Sequence, residues 1–389
     1  MAHQPKPLDQ QIIVITGATS GIGLATARAA ARAGARLVLA ARSEKDLRAV
    51  AGQLEQAGAH VAIVAADVAK PADVARIADA ARSHFGGFDT WVNNAGVGIF
   101  GRIEDGNSED HHRLFETNFW GIVNGSLEAL KHFKAHGGAL INLGSVVSDV
   151  AIPMQGMYSA SKHAVKGFTD ALRIELEHEQ APVTVTLIKP ASIDTPFNKN
   201  VRNYTDSELQ LPPPVYAPEE VANAILHAAV HPMRDIYVGG GGKVMSVTNK
   251  LAPGVMDWIS AKAIVGQEKS DKPAGNPAGG LQQPGLGGHA HSDYPGHVMK
   301  SYYTRTTLNP LLAGALAAAG LAVASALVTG NFSWGKLKDA GVRVRESGAP
   351  KPAPTPVPAP AKEPQPTVAN GSVVPKDPKE PAIPEEPQA

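Results

Sequence analysis

Residues 11–34 read QIIVITGATSGIGLATARAAARAG, an apolar run closed by a glycine-rich turn and followed by an alanine-rich, helix-like stretch. The apolar run predicts a buried strand, because strands that are covered on both faces are continuously hydrophobic. The turn, TGATSGIG at residues 16–23, opens the helix at the end where backbone N–H groups and the helix dipole attract an anion. A strand, a glycine turn and a helix in this order predict a phosphate-binding unit.

The same alternation of strand and helix continues to about residue 250. Six further apolar runs are separated by helix-like stretches: RLVLAA, HVAIVAAD, DTWVNNAG, GALINLGS, VTVTLIKP and DIYVGG. Strands that alternate with helices predict a parallel sheet covered on both faces. We therefore predict an α/β fold with a Rossmann-type, doubly wound parallel sheet and assign residues 1–250 to a single catalytic domain.

Composition limits the functions that remain open. The 389 residues carry 36 basic and 36 acidic side chains, and a chain without excess positive charge is a poor nucleic-acid binder. Cysteine is absent, which excludes disulfides and thiolate chemistry. The N-terminal stretch is polar and shows no secretory signal. We expect no nucleic-acid partner and no metal site, and we place the catalytic domain in the cytoplasm.

Residues 251–268 are predicted to form an amphipathic helical extension. Val255, Trp258, Ile259 and Ile264 have spacings that suit one apolar helical face. This face predicts packing against the core or another subunit, or alternatively a helix that lies in a membrane interface with Trp258 as its anchor.

The last 120 or so residues divide into three segments by composition. Residues 269–307 are rich in Gly, Pro and His and are predicted as a linker, with the histidines unsuited to a metal site. Residues 308–329 carry no charge and are long enough to cross a bilayer as a helix, although their many alanines suit an oligomer-forming helix as well. Residues 330–389 are Pro-rich and predict a disordered tail.

The end of the second predicted strand indicates which dinucleotide binds. An acidic residue at this place binds ribose hydroxyls, whereas an arginine accommodates a 2′-phosphate. The sequence has Ala41 and Arg42 here, so NADP is favoured over NAD, unless Arg42 only meets solvent. Asp67 and Val68 close the third strand and are placed to border an adenine.

A tyrosine and a lysine stand four residues apart in Tyr158-Ser159-Ala160-Ser161-Lys162, on one face of a predicted helix. A phenol with an ordinary pKa near 10 is a poor base at neutral pH. A fixed cation beside it stabilises the phenolate, and we expect Lys162 to lower the pKa of Tyr158 toward the working range.

Together these motifs resemble the short-chain dehydrogenase/reductase family, in the branch with the Thr-Gly-x-x-x-Gly-x-Gly turn, over about residues 10–240. The Asn-Asn-Ala-Gly segment of that family matches Asn93 to Gly96. The resemblance implies four catalytic residues: Asn118, Ser145, Tyr158 and Lys162. It implies a cofactor site formed by Gly17, Thr19, Ser20, Gly21, Ile22, Gly23, Arg42, Asp67, Val68, Asn94, Ala95, Gly96, Tyr158, Lys162, Ile193 and Thr195.

One position departs from the family pattern. The family has Pro-Gly after the sixth strand, whereas this chain has Pro190-Ala191. Alanine is tolerated there unless the position needs a positive φ angle. Ile193 and Thr195 are still expected to meet the nicotinamide carboxamide.

The activity that the resemblance implies is hydride transfer between NADP(H) and a hydroxyl/carbonyl pair, with Tyr158 as general acid and base. The substrate is expected to be a small alcohol or ketone, and a lipophilic one if either the helical extension or residues 308–329 contact a membrane. A homo-oligomer is expected from the family. Residues 197–218 predict a substrate lid, with Asn198, Arg202 and Tyr204 as candidate contacts. The alternative is a dinucleotide-binding scaffold or sensor whose anchor and Pro-rich tail dock partners.

Overall fold

Seven parallel strands form the central sheet of the computed structural model, which describes residues 4–309, 311, 313 and 314. In spatial order they run β7-β6-β5-β4-β1-β2-β3, and every neighbouring pair is parallel. The strands are β1 (Ile12–Thr16), β2 (Arg36–Ala41), β3 (Val61–Ala65), β4 (Thr90–Asn93), β5 (Gly138–Leu143), β6 (Val183–Pro190) and β7 (Asp235–Val238). The predicted doubly wound sheet is confirmed. Its order reverses between β1 and β4, where such sheets bind ligands.

Helices connect the strands and extend the chain beyond β7. The α-helices of the described residues are α1 (Gly21–Arg32), α2 (Glu44–Gln56), α3 (Pro71–Phe85), α4 (Ser108–Phe115), α5 (Gly121–His136), α6 (Gly156–His178), α7 (Phe197–Asn200), α8 (Pro218–Val230), α9 (Gly240–Leu251), α10 (Pro253–Ile259), α11 (Val265–Gln267) and α12 (Tyr302–Leu308). Two π-helical turns interrupt this pattern, Glu116–Trp120 before α5 and Ser260–Ile264 after α10.

The alternating side chains of the strands build two hydrophobic layers. Ile13 and Ile15 of β1 face α1, α2 and α8 on one side of the sheet. Ile12 and Val14 face α3, α5 and α6 on the other side. All four are buried, because a strand covered on both faces can bury every residue, as the continuous apolar run predicted.

The extension after β7 packs differently from the prediction of one apolar helical face. Met256 and Ile264 are buried against the loop that follows β5. Val255 and Trp258 are instead 52% and 66% exposed. α10 turns Met256, and not Val255 or Trp258, toward this loop, and the π-helical turn at Ser260–Ile264 changes the angular spacing only for Ile264, so the four predicted residues do not share a single buried face.

Residues 269–307, predicted as a linker, are held on the domain by short strands. Lys269–Pro273 pairs antiparallel with Ser207–Leu209, and Val298–Met299 pairs parallel with Val215–Tyr216. Leu281 between them is fully buried. This segment, although rich in glycine and proline, therefore packs along the domain through strand pairing and a buried side chain.

The described residues contain no helix that is long and apolar enough to cross a membrane. The hydrophobic helix predicted at 308–329 lies outside the described residues except at 308, 309, 311, 313 and 314. The predicted tail at 330–389 lies entirely outside them. Membrane contact and the domain boundaries stay predictions.

Candidate active site

The glycine turn between β1 and α1 leaves no room for side chains. Gly17 and Gly21 have φ angles of 65° and 51°, where residues with a side chain are strained. A Cβ atom on Gly17 would lie 2.8 Å from the Cα of Ala95, and one on Gly23 would overlap the Gly17 carbonyl. Glycine is therefore required for the close packing of this turn against the end of β4, and N–H groups at the start of a helix such as α1 suit a pyrophosphate.

Hydrogen bonds fix this turn to the end of β4. The Thr16 hydroxyl accepts from the backbone N–H groups of Asn94 and Ala95 at 3.0 and 3.1 Å. The Asn94 side chain donates to the carbonyl of Thr16 at 2.9 Å and to that of Gly17 at 3.2 Å. Asn93 points the other way and bonds Asn142 inside the core. The Asn-Asn-Ala-Gly segment thus joins two strands at the point where the sheet order reverses.

One cavity of about 300 Å³ brings most of the predicted residues together. Of the cofactor residues, it is lined by Gly17, Thr19, Ser20, Gly21, Ile22, Arg42, Asp67, Val68, Asn94, Ala95, Gly96, Tyr158, Lys162, Ile193 and Thr195. Ser145 also lines it. Gly23 and Asn118 do not line the cavity. Gly23 packs against the Gly17 carbonyl, and the Asn118 side chain bonds the Val97 backbone. The cavity and the glycine turn fit a nicotinamide dinucleotide.

Ser145, Tyr158 and Lys162 meet at the inner part of this cavity. Ser145 follows β5 and begins a short 3-10 turn, with its hydroxyl accepting from the Val147 N–H at 3.3 Å. Tyr158 and Lys162 lie one turn apart on α6, and the lysine Nζ is 5.8 Å from the centre of the phenol ring. The Lys162 ammonium also donates to the Leu143 carbonyl at 2.8 Å.

Burial controls the protonation of both groups. It raises the pKa of Tyr158 to about 12, although a hydrogen bond with Ser145 acts in the opposite direction. It also lowers the pKa of Lys162 to about 8. The expected lowering of the Tyr158 pKa by Lys162 is therefore not found, because desolvation of the phenolate is the larger effect. At neutral pH Tyr158 is a proton donor.

Asn118 is a positioning residue in the π-helical turn before α5. Its Oδ1 accepts from the Val97 N–H at 2.8 Å, and its Nδ2 donates to the Val97 carbonyl at 2.9 Å and to the Ser161 hydroxyl at 3.2 Å. Ser161 in turn donates to the Tyr158 carbonyl at 2.7 Å. Asn118 thus ties the loop after β4 to the helix turn that carries Tyr158.

Two arginines converge at the outer end of the cavity. The Arg42 guanidinium donates to the carbonyls of Gly280 and Leu281 at 2.5 and 3.0 Å. Arg113 on α4 pairs with Asp67 at 2.6 Å and also reaches the Leu281 carbonyl at 3.4 Å. Burial, followed by the charge of Arg113, lowers the pKa of Arg42. The sequence did not indicate Arg113, because nothing in its own helix distinguishes it from a surface arginine.

Residues 277–293, here called the strap, cross this outer end. The Gly21 N–H at the start of α1 donates to the His289 carbonyl at 2.9 Å, and the Gly288 N–H donates to the Thr19 carbonyl at 2.8 Å. Four strap residues line the cavity opposite the glycine turn: Gly280, Pro284, Gly285 and Leu286. This contribution was also missed, because it uses backbone groups that any residue carries.

The predicted lid contributes to the cavity through residues other than the three candidates. Arg202 and Tyr204 both bond Asp110, at 2.8 and 2.6 Å, and these two and Asn198 are not among the residues that line the cavity. The ion pair of Arg202 and the hydrogen bond of the Tyr204 hydroxyl satisfy the polar groups of these two side chains away from the cavity. The residues of the predicted lid that line the cavity are Phe197, Asn200, Leu209, Gln210, Leu211 and Pro212.

Ala191 causes no strain at the position where the family has glycine. Positive φ angles in residues other than glycine occur among the described residues only at Met154 and Gln180. The Ala191 N–H donates to the Val238 carbonyl at 2.9 Å. The sequence departure leaves Ile193 and Thr195 in the cavity wall.

One histidine of the predicted linker contacts two carboxylates. His291 lies 2.8 Å from Asp194 and 2.9 Å from Glu219. In the part of the chain that the structure describes, no group of three or more His, Asp or Glu residues is arranged to hold a metal ion.

Known proteins with similar sequences or folds are oxidoreductases. YxnA of Bacillus subtilis (strain 168), an uncharacterized oxidoreductase, is 44% identical over 327 residues, which cover 82% of this chain and 92% of YxnA. The 11-beta-hydroxysteroid dehydrogenase A of Arachis hypogaea is 31% identical over 64% of this chain and 74% of its own length.

Two solved structures share the fold. The alcohol dehydrogenase of the archaeon Thermococcus sibiricus, complexed with 5-hydroxy-NADP, is 29% identical with a TM-score of 0.51 and covers 59% of this chain and 95% of its own. A short chain dehydrogenase/reductase of Burkholderia phymatum in complex with NAD is 27% identical with a TM-score of 0.55, over 68% and 98% of the two chains.

The family described as short chain dehydrogenase matches residues 11–206, which is just over half of the 389 residues. With this match, the close similarity to YxnA and the parallel sheet, the chain belongs to the short-chain dehydrogenase/reductase family of oxidoreductases.

Proposed function

We propose that this oxidoreductase uses NADP(H) to interconvert a hydroxyl and a carbonyl group, with Tyr158 as the proton donor and acceptor. The observation that carries the proposal is the shared cavity. Ser145, Tyr158 and Lys162 line the same space as the glycine turn, so a substrate oxygen and a dinucleotide can meet there. When bound, NADP(H) supplies or takes up the hydride.

The residues of the chain orient the reactants and move the proton. The Ser145 hydroxyl donates a hydrogen bond to the substrate oxygen and holds it beside the phenol. Tyr158, with a pKa of about 12, is protonated at neutral pH and gives its proton to the substrate oxygen in reduction. Oxidation needs the phenolate, so it is favoured as the pH rises. Lys162 and the glycine turn, with Ile193 and Thr195, hold the dinucleotide.

The charges at the outer end of the cavity support NADP(H) over NAD(H). Arg113 pairs with the carboxylates of Asp67 at 2.6 Å and Glu116 at 3.6 Å, whereas Arg42 has no ion pair among the described residues and supplies the excess positive charge. A 2′-phosphate would offset the excess charge, whereas an unmodified ribose would not. The closely spaced cations thus favour the phosphorylated dinucleotide.

Apolar walls support a lipophilic substrate. The side chains of Val146, Val147, Ile152, Phe197, Leu209 and Leu211 line the cavity around the catalytic groups. Some relatives of about 31% identity are named for a hydroxysteroid substrate. A carbonyl or alcohol on a largely apolar skeleton suits such walls.

The test of this proposal is turnover of NADPH and NADH with a panel of lipophilic ketones and aldehydes near pH 7, and of the corresponding alcohols near pH 9. Ketone-dependent NADPH oxidation is expected. Tight binding of NADPH without turnover on any substrate would contradict the proposal and favour a dinucleotide-binding scaffold.

Arg42→Ala tests the NADP(H) assignment. We expect the Kd for NADPH to rise roughly 10- to 100-fold, because a hydrogen bond to a charged group contributes about 1.5–3 kcal/mol. The Kd for NADH should rise much less, because only the bonds from Arg42 to the strap are lost for NADH, and both values should stay unchanged in Arg48→Ala, an exposed arginine of α2. Titration of the cofactor fluorescence gives these constants, and equal losses for NADPH and NADH in Arg42→Ala would contradict the assignment.

A further inference from the structure

The strap is fixed to the domain at its centre. The Leu286 N–H donates to Asn200 Oδ1 at 2.8 Å, and the Gly280 N–H donates to the Asn200 carbonyl at 2.7 Å. Leu281 is fully buried in a cluster with Val97 and Leu114, on which Tyr158 packs. These contacts hold the centre of the strap against α7 and α4.

The end of the strap is fixed beside the predicted nicotinamide contacts. His291 bridges Asp194 and Glu219, and the Ser292 N–H and hydroxyl both donate to Asp194, at 3.0 and 2.5 Å. Asp194 directly precedes Thr195 in the cavity wall. The strap therefore spans the cavity from the pair of arginines to the loop after β6.

We propose that the strap is the outer wall of the dinucleotide site, and that the cofactor lies between it and the glycine turn and enters or leaves only when the strap opens. Residues of the turn and four residues of the strap line the same cavity. The identity of the cofactor rests on the function proposed above, but the role of the strap does not depend on the 2′-phosphate.

The contacts of the strap suit a closed lid over a bound dinucleotide. It is joined to the turn by single backbone bonds at Thr19 and Gly21, which take the Gly21 N–H, while Ser20 and Ile22 of the same turn also line the cavity. Its carbonyls hold the Arg42 guanidinium at the edge of the same cavity. Opening of such segments often limits the release of a product cofactor.

A reversible crosslink tests this role, since the natural chain has no cysteine. A Cβ atom on Gly285 would lie 2.6 Å from the Asn200 Cγ, so Asn200→Cys with Gly285→Cys brings two thiols within bonding range. Oxidation in the presence of NADPH should trap the cofactor through gel filtration. Its release, followed by fluorescence in stopped flow, should slow at least about tenfold and recover with dithiothreitol.

The opposite result is equally distinct. If the strap must be displaced for binding, NADPH will prevent the disulfide, or the oxidised protein will lose NADPH on gel filtration, and the proposal is overturned. Equal release rates before and after reduction also overturn it. The single variant Gly285→Cys controls for the side chain added in the cavity.

A second variant avoids the cavity. His291→Ala removes the bridge to Asp194 and Glu219 and should speed NADPH release several-fold, whereas His297→Ala, an exposed histidine outside the strap, should not. Unchanged release in His291→Ala would count against the proposal.

All experiments are repeated with NADH. Trapping of NADH but not NADPH would contradict the proposed NADP(H) function and uphold the strap, while binding of neither would overturn both.

Discussion

Glu268 is a buried carboxyl group in the wall of the cavity. It has no exposed surface, and one oxygen accepts from Gln155 at 2.6 Å, while Oε2 has no hydrogen-bond partner among the described residues. Burial raises the pKa of Glu268 to about 8, against the smaller, opposite effect of the Gln155 bond. The group is therefore held largely neutral at pH 7.

Because the pKa of Glu268 is raised, we predict that its contribution to the free energy of unfolding depends on pH. The folded chain resists ionisation of Glu268 that the unfolded chain allows from about pH 4.5, so the folded state loses stability between that pH and about 8. Glu268→Gln cannot ionise. The free energy of unfolding of the variant minus that of the natural protein should thus increase from pH 5 to pH 8.

Urea unfolding at the two pH values measures this difference. Glu55→Gln, an exposed position on α2, is the matched control and should show no such trend. A difference that is the same at both pH values would show that Glu268 ionises as readily in the folded state as in the unfolded state.

Residues with a local pattern could be predicted from the sequence, and residues defined by packing could not. Tyr158 and Lys162 are one helical turn apart, and Ser145 was implied by the resemblance to the family, so local motifs together with the family pattern indicated three residues that line the same cavity. Arg113 reaches Arg42 and Asp67 only because α4 packs beside the ends of β2 and β3. The pKa of Tyr158 was mispredicted for a related reason, since the degree of burial cannot be read from a motif.

At the scale of elements, a buried lysine braces the loop that carries Ser145. Lys189 of β6 has 1% of its side chain exposed and lies 3.1 Å from Asp149 and 3.0 Å from Asp235. Burial opposes ionisation of Asp149, but hydrogen bonds from Tyr237 and the charge of Lys189 outweigh it and keep its pKa below the ordinary value. The ion pairs connect β6, β7 and the loop after β5.

Lys189→Met should therefore destabilise the protein. It leaves Asp149 and Asp235 with only their more distant cations, Lys166 at 3.7 Å and Arg173 at 3.5 Å, so the loss should lie toward the lower end of the range of about 3–5 kcal/mol that removal of one partner of a buried pair costs. Denaturant unfolding near pH 7 measures the loss. Lys134→Met on α5, which breaks the pair with Glu179 where both side chains are about half exposed, should cost less than about 1 kcal/mol. Equal effects of the two substitutions would show that the buried pairs do not brace the loop.

The strap marks the limit of prediction for elements. Its glycines and prolines are typical of a linker, and its contacts with Thr19, Gly21 and Arg42 use backbone carbonyl and N–H groups. Such contacts leave no signature in residue type. The apolar Leu281 was the one local indication that this stretch is anchored in the domain.

For the whole molecule, the repeated alternation of apolar runs and helices was enough to predict the parallel sheet, because each run had to be buried on both faces. The same reasoning is weaker after β7, where α10 buries Met256 and exposes Trp258. Homo-oligomerisation and membrane contact through residues 308–329 stay predictions. The central claim is that Tyr158, in the cavity of the domain that the described residues form, gives its proton to the substrate oxygen.

Tyr158→Phe in the full-length chain tests that claim most directly. With a ketone substrate and NADPH, kcat should fall by about 10²- to 10⁴-fold, because the proton donor is lost. The Kd for NADPH, measured by fluorescence titration, should change little, and Tyr302→Phe, at an exposed tyrosine, should leave both values unchanged. A Tyr158→Phe protein that reduces the ketone at the natural rate would contradict the assignment of Tyr158 and the mechanism built on it.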